Sequence, residues 1–276
     1  MNYSALFLRI KLFILGLCLL FITHHNHASI KLVETIGAIN WNEDDLRAQL
    51  EEFEYLYKQR PIRNNMGGMN SAHMYYVWFL TKRLNPIHII ESGIWKGQST
   101  WLFEQAAPQA KIISIDPKLG KREYISTKVN YTKTDFSKID WSVIVDKENT
   151  LCFFDDHVGS HRLKQCYENG FKHILYEDNY PGPGGNWMKD ALSVKAALQA
   201  NGDEARYLRS IIKTYYEFPP IFNPRFTKEK WRSFRVPGKQ KDCTKNPLVT
   251  QKSENYHNLY YSEAEGYRWI AYIELR

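Results

Sequence analysis

Five short apolar runs, Ile87 to Ile90, Ile112 to Ile115, Val129 to Thr132, Leu151 to Phe154 and His173 to Tyr176, each run into acidic residues. These are Glu91, Asp116, Asp135, the pair Asp155 and Asp156, and the pair Glu177 and Asp178, the last followed by Asn179. If the runs are parallel strands, their carboxylates gather at one sheet edge, where open α/β folds bind ligands. Neighbouring carboxylates repel unless a cation lies between them, and oxygen donors of this kind suit Mg²⁺ or Mn²⁺. The plainer alternative is that one of the pairs caps a helix.

A second constellation joins the first run to a helix: Glu91-Ser92-Gly93-Ile94-Trp95-Lys96-Gly97-Gln98-Ser99. Gly93 allows a tight turn and close approach to a ligand, while Gly97 and Ser99 open a helix whose free N–H groups face it. Asp116 ends the second run, where a carboxylate can accept both hydroxyls of a ribose. Asp135-Phe136 then falls where the edge and face of an adenine would lie.

The elements that must hold these residues follow from the pattern. Apolar runs alternating with helical segments are the signature of a parallel sheet with crossover helices. Ahead of it, Leu46, Leu50, Phe53 and Leu56 or Tyr57 predict one amphipathic helix over residues 43–60, capped by Asn42 and stopped by Pro61. A flexible loop through Met66-Gly67-Gly68-Met69 leads to a second helix from Ser71 to about Leu84, ended by Asn85-Pro86. Past the fifth run, Pro181 to Gly185 make a loop, and Trp187 to Leu198 a helix. The proline-bearing stretch of about 217–250 reads as an irregular insertion. Asn258 to Tyr261 and Tyr267 to Leu275, joined by the turn Glu263-Ala264-Glu265-Gly266, read as a hairpin.

The 276 residues are 43% apolar, enough for a real core, and the net charge of +7 is spread too evenly to argue for nucleic acid. The densest basic stretch, Arg225 to Lys245, is either a solvated loop or a flap that attracts an acidic substrate. Arg9 and Lys11 precede the apolar run Leu12 to Thr23, which makes residues 1–29 a secretory signal peptide or a type II membrane anchor. Either places the domain in the secretory pathway, lumenal, anchored or secreted. There Cys166 and Cys243 have the chance to pair, and Asn130-Tyr131-Thr132 is a glycosylation sequon.

Glu-x-Gly-x-x-x-Gly-x-Ser followed by Ile-x-x-Ile-Asp resembles the cofactor motifs of class I S-adenosylmethionine-dependent methyltransferases. The resemblance implies an α/β, Rossmann-like methyltransferase fold, a mostly parallel sheet with an antiparallel C-terminal strand. Here residues 85–276 would form it, behind a helical N-terminal extension of residues 30–84. It places Glu91 and Gly93 near the methionine part of S-adenosyl-L-methionine and Asp116 on the ribose. Asp156-His157 with Asp178-Asn179 resembles catechol O-methyltransferase-like enzymes, which implies Asp156, Asp178 and Asn179 as metal ligands. Asp-His-x-x-x-His with Glu177-Asp178 resembles the cephalosporin hydroxylase-like group and would add Glu177. The catalytic lysine of the first group is replaced by Gly159.

Together these imply O-methyl transfer to a hydroxyl of a small-molecule or glycan acceptor, with Mg²⁺ or Mn²⁺ holding the hydroxyl and His157 or His161 taking its proton. Either histidine could instead merely orient a ligand or cap a helix. Two other readings stay open: a metal-dependent lumenal glycosyltransferase, which shares the acidic cluster and N-terminus, and a non-catalytic module that keeps the fold.

Overall fold

The computed structural model describes residues 35–177, 179, 193–222, 246–250 and 269–276. One eight-stranded sheet organises them, in the order β1-β7-β8-β6-β5-β2-β3-β4. The parallel part consists of β2 (His88–Ser92), β3 (Lys111–Ile115), β4 (Val129–Thr132), β5 (Thr150–Phe154) and β6 (His173–Tyr176). These are the five apolar runs, and the inner ones read as continuous apolar stretches because both of their faces are covered. The register aligns their ends, pairing Ser92 with Ile115 on one side and with Phe154 on the other, and Phe154 with Tyr176.

β8 (Ala271–Leu275) lies antiparallel between β6 and β7 (Ile212–Glu217), so the expected antiparallel C-terminal strand is present, though not as a local hairpin. The expected partner, Asn258 to Tyr261, lies outside the described residues. The strand that pairs beside β8 instead is β7, some sixty residues earlier, which the hydrophobic pattern did not reveal. A two-residue strand, β1 (Thr35–Ile36), pairs with β7 at the edge.

Helices cover both faces. Residues 43–60 fold as two helices, α1 (Glu43–Ala48) and α2 (Leu50–Lys58), with the break at Gln49, where no proline or glycine marks it. Asn42 caps α1 as a full capping box: its side chain accepts from Asp44 N and Asp45 N, and Asp45 returns the bond to Asn42 N at 2.9 Å. Asn42→Ala should lower unfolding free energy by about 1 kcal/mol in urea titration, with an unchanged denaturant slope. α3 (Ser71–Leu84) ends on Asn85, whose φ of 44° closes it in the left-handed conformation before Pro86.

Leu46, Leu50, Phe53 and Tyr57 join Tyr75, Phe79 and, from α4 (Gln98–Ala106), Leu102 and Phe103 in a core on one sheet face, against Ile89, Phe153 and Tyr272. The N-terminal helices thus share one layer of the molecule with α4. On the other face Ile90, Cys152, Phe154 and Ile273 meet Leu163 of α5 (His161–Glu168), Leu198 of α6 (Val194–Gln199) and Leu208 of α7 (Asp203–Ile211). The helix expected from Trp187 is described only from Val194. Lys195 and Glu217, both fully buried, form an ion pair at 2.8 Å between α6 and β7.

The insertion is described only at its ends, which meet where Phe222 bridges Val249. Among the described residues no helix is long and apolar enough to cross a membrane; the expected signal or anchor lies outside them. Cys166 is a buried thiol beside Cys152, and Cys243 lies outside the described residues.

Candidate functional site

The chain leaves β2 outward through β3 and β4, then returns to β5 and β6 on the opposite side. That reversal opens a crevice beyond the carboxyl ends of β2 and β5, the place where open α/β sheets bind ligands. A cavity of about 450 Å³ occupies it, in the size range of small-molecule sites.

Gly93 forms its floor. Its φ is +99°, its N–H donates to Ile115 O at 2.9 Å, and a Cβ there would lie 2.3 Å from Asp155 O. The next turn is stitched down by Asp116: Oδ2 accepts from Ile94 N (3.0 Å) and Trp95 N (3.2 Å), and Oδ1 from Lys118 N (2.6 Å). A carboxylate oxygen takes about two hydrogen bonds, so Oδ2 is filled and Oδ1 keeps one position open. Asp116 therefore has room for one ribose hydroxyl in this geometry, not the two expected.

Asp135 lines the same cavity and holds the 3₁₀ turn Phe136–Lys138 through Ser137 N and Oγ. The Arg162 guanidinium beside it holds its carboxyl well below the usual carboxylate range. Asp155, Asp156 and His157 line the cavity from the β5 end, with Lys118, Lys121 and Lys133 around the mouth.

The other expected cofactor residues stand behind this surface. Glu91 lies within β2, because the strand runs two residues further than the apolar run. It is fully buried and accepts from Thr100 Oγ1 (2.7 Å) and Ser114 Oγ (2.5 Å). Burial pushes its pKa up to about 7 against the lowering effect of those hydroxyls. Gly97 starts α4, where a Cβ would lie 2.6 Å from Tyr124 O, and Ser99 is buried against Glu91. None of these three lines the cavity, so their contribution is to shape the turn.

The three expected metal ligands that are described, Asp156, Glu177 and Asn179, each have partners within the protein. Asp156 Oδ2 accepts from Ser92 Oγ at 2.6 Å and from Arg162 Nε at 2.8 Å, so a guanidinium already neutralises it. Asn179 is fully buried, with a partner at each end: Nδ2 donates to Tyr215 OH (2.7 Å) and Oδ1 accepts from Lys195 N (2.8 Å). Glu177 Oε1 sits against His73 Nδ1 of α3. Asp178 lies outside the described residues. Among the described residues no three histidine, cysteine or acidic side chains converge as a metal would require.

Of the two proposed bases, His157 lines the cavity with a φ of 58°, whereas His161 is exposed at the first residue of α5 and does not line it. Sequence reasoning missed Ser92, Arg162, Trp95 and His73. Arg162 left one trace, a position next to the buried Leu163 and Cys166 of an amphipathic helix. His73 left none. Trp95 is half-exposed at a φ of 51°, under the ammonium of Lys121 at 4.6 Å.

No protein-family model matches the chain, and no curated protein does. Among solved structures it is similar to the apo form of CmcI-N160 (16% identity, 43% of this chain, TM-score 0.33), of whose length it spans 57%. It is also similar to the S-adenosylhomocysteine-bound methyltransferase PaMTH1 of Podospora anserina (15% identity, 67% of this chain and 95% of that one, TM-score 0.38). A methyltransferase from Geobacter sulfurreducens shares 14% identity over 50% of this chain and 74% of its own, with a TM-score of 0.32. The fold follows from strand order. A parallel β4-β3-β2-β5-β6 sheet, continued by an antiparallel β8 inserted before β7 and layered with helices on both faces, is the Rossmann-like methyltransferase fold.

Proposed function

We propose that the chain is an S-adenosylmethionine-dependent O-methyltransferase acting on a hydroxyl of a small-molecule or glycan acceptor. One observation carries this reading: a glycine floor at the strand-order reversal, flanked by two successive strand ends whose carboxylates, Asp116 and Asp135, open into one 450 Å³ cavity. The residues fit a nucleoside. Asp116 Oδ1 has one acceptor position for a ribose hydroxyl, Asp135 has one on Oδ2 for an exocyclic N–H, and the absent side chain of Gly93 leaves room beside them.

The cofactor supplies an electrophilic methyl on a sulfonium. This chain's residues orient it, keep the acceptor oxygen in line, and receive the proton that the hydroxyl gives up as the new C–O bond forms. His157, which lines the cavity, is the residue we assign to that proton. A divalent cation, expected from the sequence, finds no group of three acidic, histidine or cysteine donors among the described residues, and no step is routed through one. The signal or anchor reading of residues 1–29 supports a lumenal site of action, where sugar and other polyhydroxy acceptors are at hand.

Calorimetric titration of the full chain with S-adenosylhomocysteine tests this. Micromolar binding, weakened about tenfold or more by Asp116→Ala, is the expected result. Absence of binding, or preference for a nucleotide sugar, would overturn the assignment in favour of the inactive module or the glycosyltransferase.

A further inference from the structure

We infer that Arg162 is the positioning residue that sets nucleobase preference, its guanidinium bridging Asp135 and Asp156 at this sheet edge. The inference rests on the cofactor reading above and deepens it.

The guanidinium has five N–H donors, and the structure accounts for all of them. Nε donates to Asp156 Oδ2 at 2.8 Å. Nη2 lies 2.8 Å from Asp156 Oδ2 and 2.8 Å from Asp135 Oδ2. Nη1 donates to Asp135 Oδ1 at 3.2 Å and to Gln165 Oε1 at 2.8 Å. Arg162 is 1% exposed, with its guanidinium carbon 5.5 Å from the Phe136 ring and 5.8 Å from the Phe154 ring. A planar, weakly hydrated cation between aromatic faces suits such a place; a lysine ammonium, with three donors and a compact hydration shell, cannot span both carboxylates and Gln165.

Two consequences follow. First, the like charges of Asp135 and Asp156 are already offset by the guanidinium between them, so holding these two carboxylates for a nucleoside does not depend on added metal. Second, Asp135 is held ionised and in one orientation. Oδ1 is filled by Arg162 and by Ser137 N and Oγ, while Oδ2 takes only Arg162 and keeps one acceptor position. A fixed lone acceptor selects a base edge that carries a donor. Adenine, with its exocyclic amine, satisfies it; hypoxanthine presents a carbonyl oxygen there and is repelled.

The test titrates the full chain, in EDTA and with Mg²⁺ or Mn²⁺, against S-adenosylhomocysteine and S-inosylhomocysteine, for the wild type, Arg162→Lys and Arg162→Met. The wild type is expected to bind the adenosyl ligand equally well in EDTA and to prefer it by about 10- to 100-fold. Arg162→Lys, which keeps the charge and the fold, should lose most of that preference. In Arg162→Met the uncompensated carboxylates should acquire a measurable Mn²⁺ affinity absent from the wild type. A preference that survives in both variants, or wild-type binding that requires metal, overturns the inference while leaving the methyltransferase reading intact. A wild type that binds neither ligand overturns that reading, and this inference with it.

Discussion

Gly93→Ala is expected to abolish cofactor binding and to lower stability by about 3 kcal/mol or more. Two costs coincide at this position. The φ of +99° is unfavourable for any residue with a side chain, and the added methyl would lie 2.3 Å from Asp155 O, 2.6 Å from its carbonyl carbon and 3.1 Å from Asp156 N. All three are backbone atoms, so no side chain can rotate away. Relief requires the tips of β2 and β5 to part, against the bond from Asp155 N to Ser92 O at 2.8 Å and that from Gly93 N to Ile115 O at 2.9 Å. Parting them also displaces Asp155 and Asp156 from the cavity wall. Gly120→Ala is the control, since nothing lies within 4 Å of its would-be Cβ. Thermal unfolding should show a fall of roughly 6–12 °C for the first variant and almost none for the second. An unshifted midpoint with retained binding in Gly93→Ala would mean that the strand tips are not packed as described.

Glu91→Gln should stabilise the protein at pH 8 by about 3 kcal/mol and change little at pH 4.5 and below. Glu91 is fully buried, and its pKa rises from 4.5 to about 7, chiefly through burial. In the unfolded chain the carboxyl ionises near its ordinary value, so between pH 4.5 and 7 the folded state holds more proton than the unfolded. Stability from this group is therefore complete below pH 4.5 and is lost as pH rises through 7. Glutamine keeps the shape, and the hydroxyls of Ser114 and Thr100 can reorient to suit its amide. The quantity to measure is the variant-minus-wild-type difference in unfolding free energy at several pH values from 4.5 to 8. A difference that does not grow across that window would mean Glu91 is ionised throughout, with a charge partner outside the described residues.

How far the fold could be read from residues depended on whether the deciding interaction was local. The five parallel strands were legible because inner strands covered on both faces are continuously apolar, as Leu151 to Phe154 is. β7 was not. Its Ile-Lys-Thr-Tyr-Tyr-Glu ends on a charged residue that is buried in an ion pair with Lys195, on α6. β1 is two residues long and has no pattern to read. Of the site, Gly93, Asp116 and Asp135 were legible as a turn and two strand ends, and the structure brings them to one cavity. For Glu91 the strand runs two residues past its apolar run, to Ser92, enough to move the carboxylate from the sheet edge into the core. The acidic pairs raised the right question, what compensates Asp156. The answer, Arg162, sits six residues on in an amphipathic helix, and its burial depends on partners from separate segments, Asp135 and Phe136 among them.

The interleaving of β8 between β6 and β7 constrains the order in which the molecule can assemble during synthesis. Residues 212–217 leave the ribosome some sixty residues before their main partner at 271–275, and β6 is made earlier still. Until β8 emerges, β6 offers an unpaired parallel edge and β7 has only the short β1 beside it. The β2-to-β6 half, which carries the Gly93 turn, Asp116, Asp135 and Arg162, needs nothing from the later strands for its own pairing. The nascent chain can thus form the cavity-bearing half first, with its open β6 edge the part most exposed to wrong pairing until β8 slots in.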